Sequence, residues 1–135
     1  MMASGAQNLP KQVVNIIEDC GYSSVWDELK YQAKAMYNLP AFPILYEVSA
    51  VSKVRAGFSY GQASCVNQLK NNTRPILFIH GSEDYFVPTS MVYKNYRATK
   101  GYKDLYIAKG AAHAKSFESD PKTYIETISA FLQKN

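Results

Sequence analysis

Apolar residues fall along the chain in two kinds of pattern, and the alternation between them predicts the fold. Val13-Val-Asn-Ile-Ile17 is a short, nearly continuous apolar run rich in β-branched residues, the signature of a strand buried on both faces. It closes at Glu18-Asp19-Cys20-Gly21. Ser24-Val-Trp-Asp27 then has the spacing of a capping box, opening a helix with Val25, Leu29, Ala33 and Met36 on one face, and Pro40 and Pro43 break that helix. Ile44, Leu45, Val48 and Val51 mark a second amphipathic helix, and Val66 with Leu69 a short third one.

Pro75 opens a second strand, Ile76 to His80, apolar throughout. Thr89 is placed to cap a helix carrying Val92 and Tyr96, and a third strand follows from Asp104 to Lys109, ended by Gly110. Asp120 caps a last helix with Pro121 at its first position; Tyr124, Ile125, Ile128, Phe131 and Leu132 form its inward stripe. Strands alternating with helices predict an α/β fold: about three parallel strands covered on both faces, with ligands expected at the carboxyl ends of the strands. Residues 1–135 read as a single domain, in which 24–70 form a helical, cap-like insertion long enough to act as a lid.

Composition narrows the class. With 47% hydrophobic and 19% charged residues the chain is ordinary globular protein, and no apolar run approaches membrane-spanning length. The net charge of +4 comes from lysines spread along the chain, which argues against nucleic acid as a partner. Cys20 and Cys65 lack the paired spacing of a zinc site and suit a reducing compartment; with no secretory signal at Met1-Met-Ala-Ser-Gly, a cytoplasmic protein without membrane contact is expected.

The chemistry concentrates at two strand ends. Phe78-Ile-His-Gly-Ser-Glu-Asp84-Tyr-Phe-Val-Pro88 delivers a carboxylate after the second strand, and Gly110-Ala-Ala-His113 delivers an imidazole after the third. An acid followed by a histidine from neighbouring strand ends is the order of the last two members of a nucleophile–acid–base triad. Together with Ala114-Lys115-Ser116, these segments resemble the C-terminal half of α/β-hydrolases, especially bacterial esterase- and peptidase-like serine hydrolases, over the chain from about Val13 to its end. The resemblance implies that Asp84 is the triad acid and His113 the general base, with the insertion where that family carries its cap. No cofactor and no metal are expected. The family's Gly-x-Ser-x-Gly nucleophile turn would precede Val13, and Met1-Met-Ala-Ser-Gly looks like the end of the helix that follows it.

Two residues within the chain compete for the nucleophile's role. Gly57-Phe-Ser59-Tyr-Gly61 fits the five-residue pattern, but a helical stretch precedes it where a strand is required. Cys20 ends a strand ahead of a helix, yet Glu18 stands where the turn wants glycine, and cysteine is among the residues most often simply buried. His80 reads as a structural, hydrogen-bonded neighbour of the site, and Asp19 as either a cleft residue or a turn-forming one. The aromatics Trp26, Tyr31, Tyr37, Phe42, Tyr46, Phe58 and Tyr60 either line a cap suited to an acyl or aromatic group or pack the insertion.

Two functions follow. In the first, the chain carries the acid and base of a serine hydrolase of ester, thioester or peptide bonds, inert alone and active on a small-molecule or peptide substrate when an N-terminal half supplies the serine. In the second, it is a non-catalytic hydrolase fragment that forms a homodimer through the apolar edge of its first strand.

Overall fold

A computed structural model describes residue 6 and residues 9–135; the helix end expected in Met1–Gly5 lies outside them. Three parallel strands form one sheet in the order β1 (Ile16–Asp19), β2 (Ile76–Gly81), β3 (Lys103–Ala108). The chain divides into two compact units, one of residues 1–22 with 65–135 and one of residues 23–64.

The first unit holds the sheet. β2 lies between the other two strands and is buried at every position, which is why its sequence is apolar without alternation. Its side chains divide by parity. Ile76 and Phe78 join Ile16, Leu69, Val92 and Cys65 on one face, beneath helices α3 (Cys65–Leu69) and α4 (Ser90–Ala98). Leu77 and Ile79 join Phe131 on the other face, beneath α6 (Pro121–Lys134).

β1 departs from the sequence reading in both start and burial. Pairing begins at Ile16 opposite Ile76, three residues later than expected, because Val13 N–H turns back to Pro10 O and Val13 O is taken by the Arg74 guanidinium. Val14 is left 58% exposed. Within the strand only Ile16 and Glu18 are buried; Ile17 is 39% exposed and lies outside the cluster of Leu77, Ile79 and Phe131. The outer edge of β1 has no paired strand among the described residues.

The last helix forms as its cap predicts: Asp120 accepts Thr123 N–H at 3.0 Å, and Pro121 opens the helix. Its inward stripe is narrower than expected, made of Tyr124, Ile128 and Phe131, while Ile125 and Leu132 are about half exposed. Thr89 does not cap α4. Its hydroxyl donates instead to Gly81 O at 2.7 Å, tying the start of the helix to the end of β2. A one-turn helix, α5 (Ser116–Ser119), precedes α6 and had no counterpart in the apolar pattern.

The second unit contains α1 (Val25–Tyr37) and α2 (Ile44–Ala56). Ser24 Oγ accepts Asp27 N–H at 3.0 Å, the bond that the capping-box spacing predicts. α2 forms as expected, but its stripe is not buried: Ile44, Val48 and Val51 are each more than 40% exposed, and Ser49 alone of the helix is buried. Trp26 meets Tyr46 edge to face at 4.8 Å, and with Ser49, Ser59 and Gly61 these rings line an open depression of about 380 Å³.

Candidate active site

All three strands point their carboxyl ends the same way, so the loops after β1, β2 and β3 are brought to one end of the sheet. Asp84 sits three residues past the end of β2 and is 4% exposed. Its Oδ1 accepts the N–H groups of Phe86 at 3.0 Å and Val87 at 2.8 Å, an Asx-type turn that fixes the carboxylate. Its Oδ2 faces the loop after β3.

His113 arrives on that loop, and its Nδ1 lies 2.8 Å from Asp84 Oδ2. A carboxylate only accepts, so Nδ1 carries the proton and the Nε2 lone pair is left available. The His113 side chain is 36% exposed, with the Phe86 ring 4.9 Å from its own. Asp84 and His113 are thus brought together as a hydrogen-bonded carboxylate–imidazole pair.

The two loops are braced to each other by backbone. Ser82 N–H donates to Ala108 O at 2.9 Å, Glu83 N–H to Ala111 O at 3.0 Å, and Gly110 N–H to Ser82 Oγ at 2.7 Å. Gly81 makes this closeness possible: a Cβ there would stand 2.2 Å from Ala111 O and 2.9 Å from Ala112 O. The glycine that follows His80 is therefore needed for the approach of the histidine-bearing loop.

His80 is fully buried, and its Nε2 lies 2.8 Å from Val87 O and 3.2 Å from Asp84 Oδ2. A carbonyl only accepts, so Nε2 carries the proton and supports both the 84–87 turn and the Asp84 carboxylate. This is the structural role expected for it.

Cys20 is the residue whose position the sequence underestimated. It follows β1 in the left-handed region, with φ 58°, and is 8% exposed. One ligand-type atom from each of Cys20, Asp84 and His113 lies within 4.8 Å of the others. Ala114 N–H, from the residue after His113, donates to Cys20 Sγ at 3.2 Å. The thiol itself donates to Asp19 Oδ1 at 3.1 Å. Burial, and then Asp19, push the Cys20 thiol up to about 12, so it stands as a protonated thiol and not as a ready nucleophile. Asp19 in turn accepts from Tyr124 Oη at 3.0 Å and Ser116 Oγ at 3.3 Å, which ties α5 and α6 to the end of β1. The sequence signal for Cys20 was its place at a strand end; its nearness to His113 depends on loop geometry that no local pattern carries.

Ser59 has a different setting. It lies in the second unit after α2, which ends on Gly57 at φ 79°, and its N–H donates to Gln62 Oε1 at 2.8 Å. A helix precedes it, so the strand-to-helix turn of a nucleophile elbow is absent.

No protein-family model matches the chain. The uncharacterised protein YqkD of Bacillus subtilis (strain 168) is 33% identical over 116 residues, which are 86% of this chain and 38% of that protein. The chain therefore spans little more than a third of the curated relative it matches. Among solved structures, an esterase of Pyrococcus furiosus superposes with a TM-score of 0.68 at 16% identity, over 98% of this chain and 48% of its own. An acylaminoacyl peptidase of Pyrococcus horikoshii gives 0.63 at 19% identity, over 98% of this chain and 21% of its own. Acetyl xylan esterase 1 of Thermoanaerobacterium sp. gives 0.58 at 16% identity, over 89% of this chain and 37% of its own.

Proposed function

Because the chain has part of the α/β-hydrolase fold, we propose that it carries the acid and base of a serine hydrolase, with the nucleophile and oxyanion hole supplied by polypeptide outside this sequence. The observation that carries the reading is the 2.8 Å contact between His113 Nδ1 and the buried carboxylate of Asp84, whose other oxygen is held by two backbone amides. Asp84 sets the imidazole tautomer and stabilises the imidazolium. His113 Nε2 then takes the proton from an attacking serine and returns it to the leaving group. The bond cleaved is an ester, thioester or peptide bond, as in an acyl transfer through a covalent intermediate.

A chimera tests this. The segment of the Bacillus subtilis relative that precedes the matched region is joined to residue 9 of this chain, and hydrolysis of a p-nitrophenyl ester is followed. The chimera is expected to turn over, the chain alone is not, and Asp84→Asn and His113→Ala each lower kcat by about 10⁴-fold. A folded, active chimera indifferent to His113→Ala contradicts the assignment.

One observation favours a second reading. The outer edge of β1 is unpaired among the described residues and is flanked by exposed Val14 and Ile17. In the isolated chain that edge is a template for pairing with a second copy, giving a symmetric homodimer. Sedimentation equilibrium is expected to return twice the chain mass, and a monomer at all concentrations would exclude it.

A further inference from the structure

The acid–base relay has no use for Cys20, yet its thiol is built into the same cluster. We propose that Cys20, Asp84 and His113 form a binding site for a thiophilic divalent cation, zinc above all, whose occupation takes His113 out of proton transfer. The inhibitory consequence rests on the hydrolase reading above; the binding does not.

The donor set selects the ion. A sulfur, an imidazole nitrogen and a carboxylate oxygen suit zinc or cobalt and disfavour magnesium or calcium, which take oxygen alone. The reach is right as well. Ligand atoms around a tetrahedral zinc stand about 3.4–3.6 Å apart, given zinc–ligand bonds of about 2.0–2.3 Å. One ligand atom from each of the three side chains already lies within 4.8 Å of the others, with His113 Nδ1 and Asp84 Oδ2 at 2.8 Å. Binding requires the thiol to close inward and the His113 ring, 36% exposed, to part from an Asp84 carboxylate held in place by the Phe86 and Val87 amides. Two neighbours steady the sulfur while it moves: Ala114 N–H donates to it, and Asp19 Oδ1 at 3.1 Å accepts its proton in the metal-free protein. On binding, the thiol proton leaves to solvent and the sulfur enters as thiolate, while the imidazole enters neutral.

Either imidazole nitrogen gives the same outcome for catalysis. If Nε2 binds the ion, its lone pair is consumed. If Nδ1 binds, it displaces the proton shared with Asp84, the ring takes the other tautomer, and Nε2 carries a hydrogen where it must accept one. A cation here thus blocks the base without touching the attacking serine.

Cobalt(II) titrated into the tag-free 135-residue chain tests the proposal without turnover, so its failure and that of the hydrolase reading are separable. Cys20 and Cys65 are the chain's two cysteines, which makes the thiolate-to-cobalt charge-transfer absorption assignable by substitution. One equivalent is expected to produce the band and zinc to abolish it. Cys65→Ser should keep it, Cys20→Ser should lose it, and Asp84→Asn should weaken cobalt binding by roughly 10-fold or more. Zinc should also raise the unfolding midpoint of the unsubstituted chain and leave that of Cys20→Ala unmoved, which covers the case of a poorly folded serine variant. Absence of the band in the unsubstituted chain, or its survival in Cys20→Ser, overturns the site.

Discussion

Glu18 enters the interior beside Ile16 with one carboxyl oxygen bonded by Asn95 Nδ2 at 3.0 Å and the other without a partner among the described residues. Burial holds its carboxyl above the ordinary value of 4.5, against the lowering effect of the Asn95 bond. The folded protein therefore keeps this proton more tightly than the unfolded chain. The associated stability is complete below pH 4.5 and is lost as pH rises through the folded value. Glu18→Gln removes that titration, and its thermal midpoint is expected to exceed that of the unsubstituted chain at neutral pH, by about 1–3 kcal/mol in stability, and to converge with it below pH 4.5. At Gly81 the constraint is steric. Gly81→Ala sets a Cβ against the backbone of Ala111 and Ala112, and urea unfolding should show a loss of about 2–4 kcal/mol. The need for glycine there could not be read from sequence, because it arises from a loop thirty positions away, whereas Asp84 and His113 were legible as residues following strand-like runs.

Elements were more readable than their ends. The unbroken apolar run of Ile76 to His80 announced a buried strand, which the structure places at the centre of the sheet, and Ser24 and Asp120 announced two helix starts that the structure shows capped by those side chains. Thr89 was misread since its hydroxyl found Gly81 O, a partner on another element. The stripe of the last helix was read too wide because periodicity records which residues share a face, not how far the opposing sheet extends. Phe131 is 1% exposed and Ile125 is 54% exposed. Phe131→Ala should therefore cost about 3–5 kcal/mol and Ile125→Ala less than about 0.5 kcal/mol, although both lie in the same apolar pattern. Asp120→Ala should lower stability through loss of the bond to Thr123 N–H. Denaturant unfolding of the three variants measures this order directly.

At the scale of the molecule, the sheet places its three carboxyl ends together and leaves the far side of β1 without a strand among the described residues. The sequence made the α/β class legible through its alternation of strand and helix, and the candidate Asp84–His113 pair through its order after two strands; the clustering of Cys20 with them appears only when the strand ends are assembled. Among the described residues no helix is long and apolar enough to cross a membrane. The chain matches 38% of its Bacillus subtilis relative, and the account places the attacking serine beyond the matched portion. Fluorophosphonate labelling read by intact mass tests that claim most directly, applied to the isolated chain and to the chimera. The account predicts no adduct on the isolated chain, Ser59 included, and a single adduct on the chimera at a serine upstream of residue 9, formed far more slowly with His113→Ala. An adduct on Ser59 of the isolated chain, or labelling of the chimera at an unchanged rate without His113, would contradict it.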